Sequence, residues 1–251
     1  MNGFLASQHP LVIAHRGASR YAPENSLAAF RLAAEQGADA VELDAKLSAD
    51  GEVVVIHDPT TDRTTGFAGE VRQLSLRQLK SLDAGSFFSA QFKGEPIPTL
   101  AEVFEAVGER VLINVELTNY TSPGDALVEK VAALVKNYHL EERVLFSSFH
   151  PLNLFRARRL LPQVPTAILA LPGRAGWWAR AGWMRRVSPW FVHPYFTDAN
   201  AGYIARQHAL NRKVNVWTVN AMEDMIRLVK DGVDGLISDD PPTARQALAT
   251  V

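Results

Sequence analysis

The chain contains no cysteine. That single absence removes disulfides, thiolate nucleophiles and zinc–thiolate centres, and leaves carboxylates and histidines as the groups able to do chemistry. Net charge is also lacking, since 26 Lys and Arg stand against 27 Asp and Glu for a formal charge of −1. A nucleic-acid partner held mainly by phosphate neutralisation is therefore not expected. No apolar run approaches the roughly 18 residues of a membrane span, and residues 1–10 lack the basic start and unbroken apolar stretch of a secretory signal. The expected address is the cytoplasm. Missing too are internal repeats, low-complexity tracts and linkers rich in Pro, Gly or Ser, so one domain spanning 1–251 is the simplest organisation.

What the chain does have is alternation. Strand-like apolar runs fall at 11–16, 40–47, 53–58, 111–117, 144–149, 166–171, 190–195, 213–219 and 235–238. Helical patterns lie at 26–36, 125–138, 151–161, 200–209, 221–229 and 242–249. Strands alternating with helices predict a parallel sheet, and about 250 residues suit one α/β domain of the (β/α)8 TIM-barrel type. Nine runs compete for eight places. Only Ser48 to Glu52 separates the second run from the third, which leaves no room for a crossover helix, so these two share one place and one of them is accessory. After the third run the pattern loosens over 59–98 into Thr, Gly and short helical pieces, which predicts an inserted segment.

Ionisable residues collect at the ends of the early runs: Val-Ile-Ala-His15-Arg16, Val-Glu42-Leu-Asp44, Val-Val-Ile-His57-Asp58 and Ile-Asn114-Val-Glu116. In a parallel barrel the C-terminal strand ends meet at one mouth, so these distant residues would converge. Glu42 and Asp44, two apart on a strand, point to the same side, and Glu116 would complete a carboxylate cluster suited to Mg²⁺ or Ca²⁺, with Mn²⁺ also permitted. The plainer alternative for Glu42 and Asp44 is an ion pair with Arg16 or a surface strand; Glu116 and the two histidines shift the balance to a metal site. His15 and His57 suit general acid and base work, because imidazole titrates near neutral pH. Arg16 offers a fork of donors to phosphoryl oxygens.

These residues carry a family resemblance. His15-Arg16-Gly17, Pro23-Glu24-Asn25, Glu42-Leu-Asp44, His57-Asp58-Pro59-Thr60 and Asp62-Arg63-Thr64-Thr65 resemble the ordered signature of the glycerophosphodiester phosphodiesterases. The resemblance continues through Ile97-Pro98-Thr99-Leu100, Ser147-Ser148-Phe149, Val216-Trp217-Thr218-Val219-Asn220 and Gly232-Val-Asp234-Gly235, and so covers nearly the whole chain. It implies metal ligation by Glu42, Asp44 and Glu116, acid/base work by His15 and His57, phosphate contact by Arg16, and cleavage of glycerophosphodiesters to glycerol 3-phosphate and an alcohol. One departure stands out: where many members carry a lysine two residues after the third carboxylate, this chain has Thr118. A hydroxyl supplies a hydrogen bond without charge, so phosphate stabilisation would lean more on Arg16 and the cation.

Several residues admit two readings. Glu24 and Asn25 could orient His15 or Arg16 or reach a substrate hydroxyl, whereas Asn25 or Ser26 could equally cap a helix. Trp217 could wall the glycerol moiety or simply pack in the core. His193 is a weaker candidate for the mouth, and His9, His139, His150 and His208 are assigned to structure or surface. Residues 173–190 mix Arg174, Arg180, Arg185 and Arg186 with Trp177, Trp178, Trp183 and Trp190, without an acidic residue. Such an element could lie at a lipid interface, but a barrel helix with buried Trp faces is the simpler expectation. Lysophospholipase D activity, or a catalytically silent barrel that binds phosphorylated ligands, are the competing functions. No sequence feature indicates an oligomeric state.

Overall fold

The computed structural model describes all of residues 1–251. Eight parallel strands close into a barrel: β1 (Leu11–Ala14), β2 (Ala40–Leu47), β4 (Leu112–Leu117), β5 (Val144–Ser148), β6 (Thr166–Ala170), β7 (Phe191–Pro194), β8 (Lys213–Val216) and β9 (Gly235–Ser238), with β1 pairing both β9 and β2. The ninth run supplies β3 (Val53–Val55), which pairs antiparallel with the second half of β2 outside the barrel. One strand is thus accessory, as the short Ser48 to Glu52 link requires.

Helices cover the outside: α1 (Gly3–Ala6), α2 (Leu27–Glu35), the short α3 (Asp62–Thr65) and α4 (Leu76–Lys80), α5 (Leu100–Val107), α6 (Leu127–Asn137), α7 (Pro151–Leu160), the single turn α8 (Trp177–Arg180), α9 (Ala201–Ala209), α10 (Met222–Asp231) and α11 (Pro241–Ala249). Local signals set their ends. Ser26 Oγ accepts from Ala29 N at 3.1 Å to cap α2, and α10 stops where Gly232 turns left-handed at φ 94°. Helix α5 has no counterpart among the expected helices, although Thr99 and Glu102 form a reciprocal capping box that opens it.

Two apolar layers result. Outward-facing strand residues such as Val41, Leu43, Val115 and Ile168 pack against the helices, while Leu11, Ile13, Ala40, Leu145, Ala167, Phe191 and Ile237 fill the barrel's interior. Phe4 joins the inner layer from α1, stacked edge-on against Phe191 at 6.4 Å, and Asn2 fixes that helix to the N-terminal end of β5 through Val144 O. Residues 59–98 gather a separate small cluster, in which Val71, Leu79, Ala84 and Ile97 meet Val54 and Ile56 around β3. That cluster explains why β2 runs past the barrel: its second half carries β3 and, through it, this segment.

Candidate active site

Side-chain alternation decides what the barrel presents at its C-terminal mouth. Counting by two up each strand leads from Ile13 to His15, from Ala40 through Glu42 to Asp44, from Leu112 through Asn114 to Glu116, and from Asn215 to Trp217. A pocket of about 70 Å³ lies there, lined by His15, Arg16, Glu42, Asp44, His57 and Glu116, with Asn114, Phe149 and Trp217 as floor and wall.

Oxygen atoms of Glu42, Asp44 and Glu116 all lie within 4.8 Å of one another, close enough to share one hard cation. Glu42 and Asp44 are buried and Glu116 is half-buried. Burial and the neighbouring Asp44 charge push the Glu42 carboxyl well above the usual range, and the same two causes raise Glu116 to about 8. Asp44 goes down: burial opposes its charge, but Arg16, His57 and the Asn25 amide outweigh it. The cluster is therefore short of positive charge. Across the strands Asn114 stands opposite Glu42, buried on the pocket floor with neither amide atom bonded to protein. An oxygen-only donor set with an orphaned carboxamide beside it fits a hydrated divalent ion.

Each histidine is held by its own carboxylate. His15 Nδ1 lies 2.7 Å from Asp239 Oδ1, leaving Nε2 facing the pocket 4.0 Å from Glu42 Oε2. His57 Nδ1 lies 2.6 Å from Asp58 Oδ1, and Arg63 Nε anchors that carboxylate at 2.6 Å. Asp239 also accepts from Ser19 and Asn220; although burial opposes its charge, these partners and His15 bring it down to about 2. A carboxylate ionised at all working pH values accepts the hydrogen bond of a protonated Nδ1, so Nε2 is the exchangeable nitrogen.

Arg16 sits in a strained turn that the following residue makes possible. Both Arg16 and Asn25 are left-handed at φ 55°, a conformation L residues adopt at some cost, and such strain collects at functional sites. The turn aims Arg16 N at Glu42 Oε2 (3.0 Å), Arg16 Nη1 at Glu24 Oε1 (2.9 Å) and Asn25 Nδ2 at Asp44 Oδ2 (2.9 Å). Gly17 continues it at φ 84°, where an added Cβ would come within 2.7 Å of the Ala29 backbone. Gly17→Ala is accordingly expected to cost at least ~2 kcal/mol in urea denaturation. A wild-type unfolding free energy would refute this account of the turn.

The other anticipated residues fall as follows. Ser26, not Asn25, caps α2, and Asn25 belongs to Asp44. Glu24 forks Arg16 to Arg63 and so buttresses the arginine from behind. Trp217 lines the pocket, tied by its Nε1 to His193 O at 2.8 Å and stacked edge-on with Phe149 and Tyr195. Thr118 stands beside a larger neighbouring cavity, its hydroxyl donating to Ala45 O and accepting from Lys46 Nζ. His193 is not at the mouth: it is fully buried beneath it, and burial, aided by Arg212, pushes its pKa down to about 3. His150 caps α7, and His208 pairs with Asp234. Residues 173–186 form single helical turns in place of a barrel helix, with Trp177 62% and Trp183 56% exposed. The sequence marks Asn114 only as part of the Ile-Asn114-Val-Glu116 run and does not single out Asp239 or Lys46, although Asp239 follows an apolar strand run just as His15 does. Tyr120, which donates to Glu116, gives no such signal.

Comparison with known proteins bears on the whole chain. Residues 15–243 match the model of the Glycerophosphoryl diester phosphodiesterase family. A glycerophosphodiester phosphodiesterase from Caldanaerobacter subterraneus subsp. tengcongensis is 42% identical over 234 residues, 93% of this chain and 95% of that one. Among solved structures, an Oleispira antarctica phosphodiesterase in complex with the product sn-glycerol-3-phosphate superposes with a TM-score of 0.87 at 32% identity, covering 96% of this chain and 97% of that one. The glycerophosphodiester phosphodiesterase from Agrobacterium tumefaciens gives 0.81 at 28% identity over 94% and 99%. With the barrel, the acidic cluster and these likenesses together, the chain belongs to the glycerophosphoryl diester phosphodiesterase family and is a phosphoric diester hydrolase of that class.

Proposed function

We propose that this chain cleaves glycerophosphodiesters into glycerol 3-phosphate and an alcohol, using His15 and His57 as the acid/base pair and Glu42, Asp44 and Glu116 as ligands of Mg²⁺ or Ca²⁺, with Mn²⁺ also compatible with all-oxygen ligation. The observation that carries this reading is the meeting of three carboxylates within 4.8 Å and two carboxylate-backed imidazoles around one pocket. The glycerol 3-phosphate bound by the Oleispira antarctica relative supports the product.

Charge explains why a cation belongs here. Once Glu42 and Glu116 give up their raised protons, three carboxylates face two cations, Arg16 and Lys46, and the inner ring carries a net negative charge that would repel a diester anion. A divalent ion inverts that sign, and when bound it supplies Lewis-acid stabilisation to the phosphoryl oxygens. Arg16, braced by Glu24, presents its guanidinium to the same oxygens. One imidazole takes the proton of the attacking water, or of a glycerol hydroxyl on a cyclic-phosphate route, through Nε2. The other, protonated, gives its Nε2 proton to the departing alkoxide. Trp217 and Phe149 offer the carbon skeleton of glycerol an apolar wall. Glycerophosphocholine turnover should vanish in EDTA and return with one of the three ions. Turnover indifferent to EDTA would refute the cation, and absence of turnover with every ion would favour the silent binder.

A second reading has one observation behind it. The exposed Trp177 and Trp183, with Arg185 and Arg186 beside them in a segment that follows β6 on the mouth side, suit contact with an anionic lipid surface and hence a lysophospholipid substrate. Vesicles of anionic lipid should then pellet the wild type and not Trp177→Ala/Trp183→Ala, and lysophosphatidylcholine should be cleaved beside glycerophosphocholine. No pelleting at low salt would remove this reading and leave the first intact. No helix is long and apolar enough to cross a membrane.

A further inference from the structure

One lysine, two residues beyond Asp44, lines a cleft of about 370 Å³ bordered by Lys46, Thr118, Thr60 and Asn119. Lys46 follows Glu42 and Asp44 at the two-residue spacing of β2, so it shares their inward side. Just past the end of β4, Thr118 follows Glu116 at the same spacing, and the β2–β4 register, whose last pair is Ala45 with Leu117, carried one residue further sets Lys46 level with it. The ammonium donates to Thr118 Oγ1 at 2.6 Å, and the threonine hydroxyl is itself fixed by donating to Ala45 O at 2.7 Å. That contact uses one of the three ammonium donors, leaving two for a ligand reached through the cleft. The anions it feels most strongly are Asp44 and Glu116.

We infer that Lys46 contacts a non-bridging phosphoryl oxygen of the diester, as the second fixed cation beside Arg16, and that Thr118 holds it there. The positive charge absent from position 118 is thus delivered from the neighbouring strand. This inference rests on the reading that the phosphoryl group binds at Glu42, Asp44 and Glu116.

Isothermal titration of glycerol 3-phosphate and, separately, of Mn²⁺ tests it, alongside kcat/KM for glycerophosphocholine. Lys46→Met should weaken glycerol 3-phosphate binding and kcat/KM ~10- to 100-fold, the range of a charge-assisted hydrogen bond. Affinity for Mn²⁺ should hold or tighten, because a positive neighbour of the cation has gone. The exchange Lys46→Thr/Thr118→Lys returns the ammonium from the other strand and should recover most of the loss, even if Lys46→Met folds poorly. Product affinity within two-fold of wild type in Lys46→Met would overturn the inference. So would a parallel fall in product and Mn²⁺ affinity that the exchange does not repair. Unchanged turnover in His15→Ala would instead overturn the underlying reading of the site.

Discussion

Replacing His15 by alanine should lower kcat ~10²- to 10⁴-fold, the contribution of a placed general acid or base, while glycerol 3-phosphate affinity stays close to wild type. The expectation follows from the dyad geometry, in which Asp239 accepts the Nδ1–H hydrogen bond at 2.7 Å and leaves Nε2 toward the pocket. Asp239→Asn tests the same geometry without touching the imidazole. Its amide can donate to Nδ1, which favours the tautomer with hydrogen on Nε2, and a protonated Nε2 cannot act as base. A loss on the order of 10²-fold or more in kcat is expected, with KM little changed. Because one proton enters as another leaves, His15→Ala/His57→Ala should cost little more than the worse single change. More than a tenth of wild-type kcat in His15→Ala, or losses that simply multiply in the double variant, would refute the paired roles.

The second large effect concerns the cation and pH. In the cation-free protein Glu116 holds its proton up to about 8, and Glu42 is raised as well, so divalent binding must expel protons. Cation affinity should therefore climb through neutrality by up to tenfold per pH unit for each proton expelled, with the share of Glu116 levelling off above about 8. Calorimetry in buffers of different ionisation enthalpy would count the protons released. Stability moves the other way in the cation-free protein. A carboxyl whose folded pKa exceeds its unfolded value of 4.5 contributes stability that is present below that pH and lost as pH rises to about 8. The melting-temperature gap between loaded and cation-free protein should then widen as pH rises. Glu116→Gln should remove most of that widening and weaken cation binding on the order of 10²-fold, since ligand charge sets affinity at such sites. A gap independent of pH would contradict the picture.

Much of this was legible before any coordinates. Short apolar runs separated by helical patterns give a parallel barrel, and the Ser48 to Glu52 link, too short for a crossover, assigns β3 its place at the edge. His15, Asp44 and Glu116 announce themselves as ionisable residues where apolar runs end. Relations across strands are a different matter. That Asp239 meets His15 depends on β9 closing against β1, and that Lys46 meets Thr118 depends on the β2–β4 register. Neither pairing has a local signature. Asn25 shows how a local rule can mislead: its type suits a helix cap, but tertiary bonding to Asp44 claims it and leaves Ser26 the cap. The Trp and Arg composition of 173–190 likewise suggested a buried helical face, whereas Gly173, Gly176 and Gly182 break the segment into single turns that leave two indoles outside.

Glu42, Asp44 and Lys46 occupy alternate positions of a single strand, while Val41, Leu43 and Ala45 between them face the helices. Shifting β2 by one residue against β1 and β4 would exchange the two sets at a stroke, carrying every one of those charges into the apolar layer. Insertions or deletions in the Gly37–Asp39 bend ahead of the strand should consequently behave as all-or-none lesions. Partial activity has no intermediate frame in which to survive.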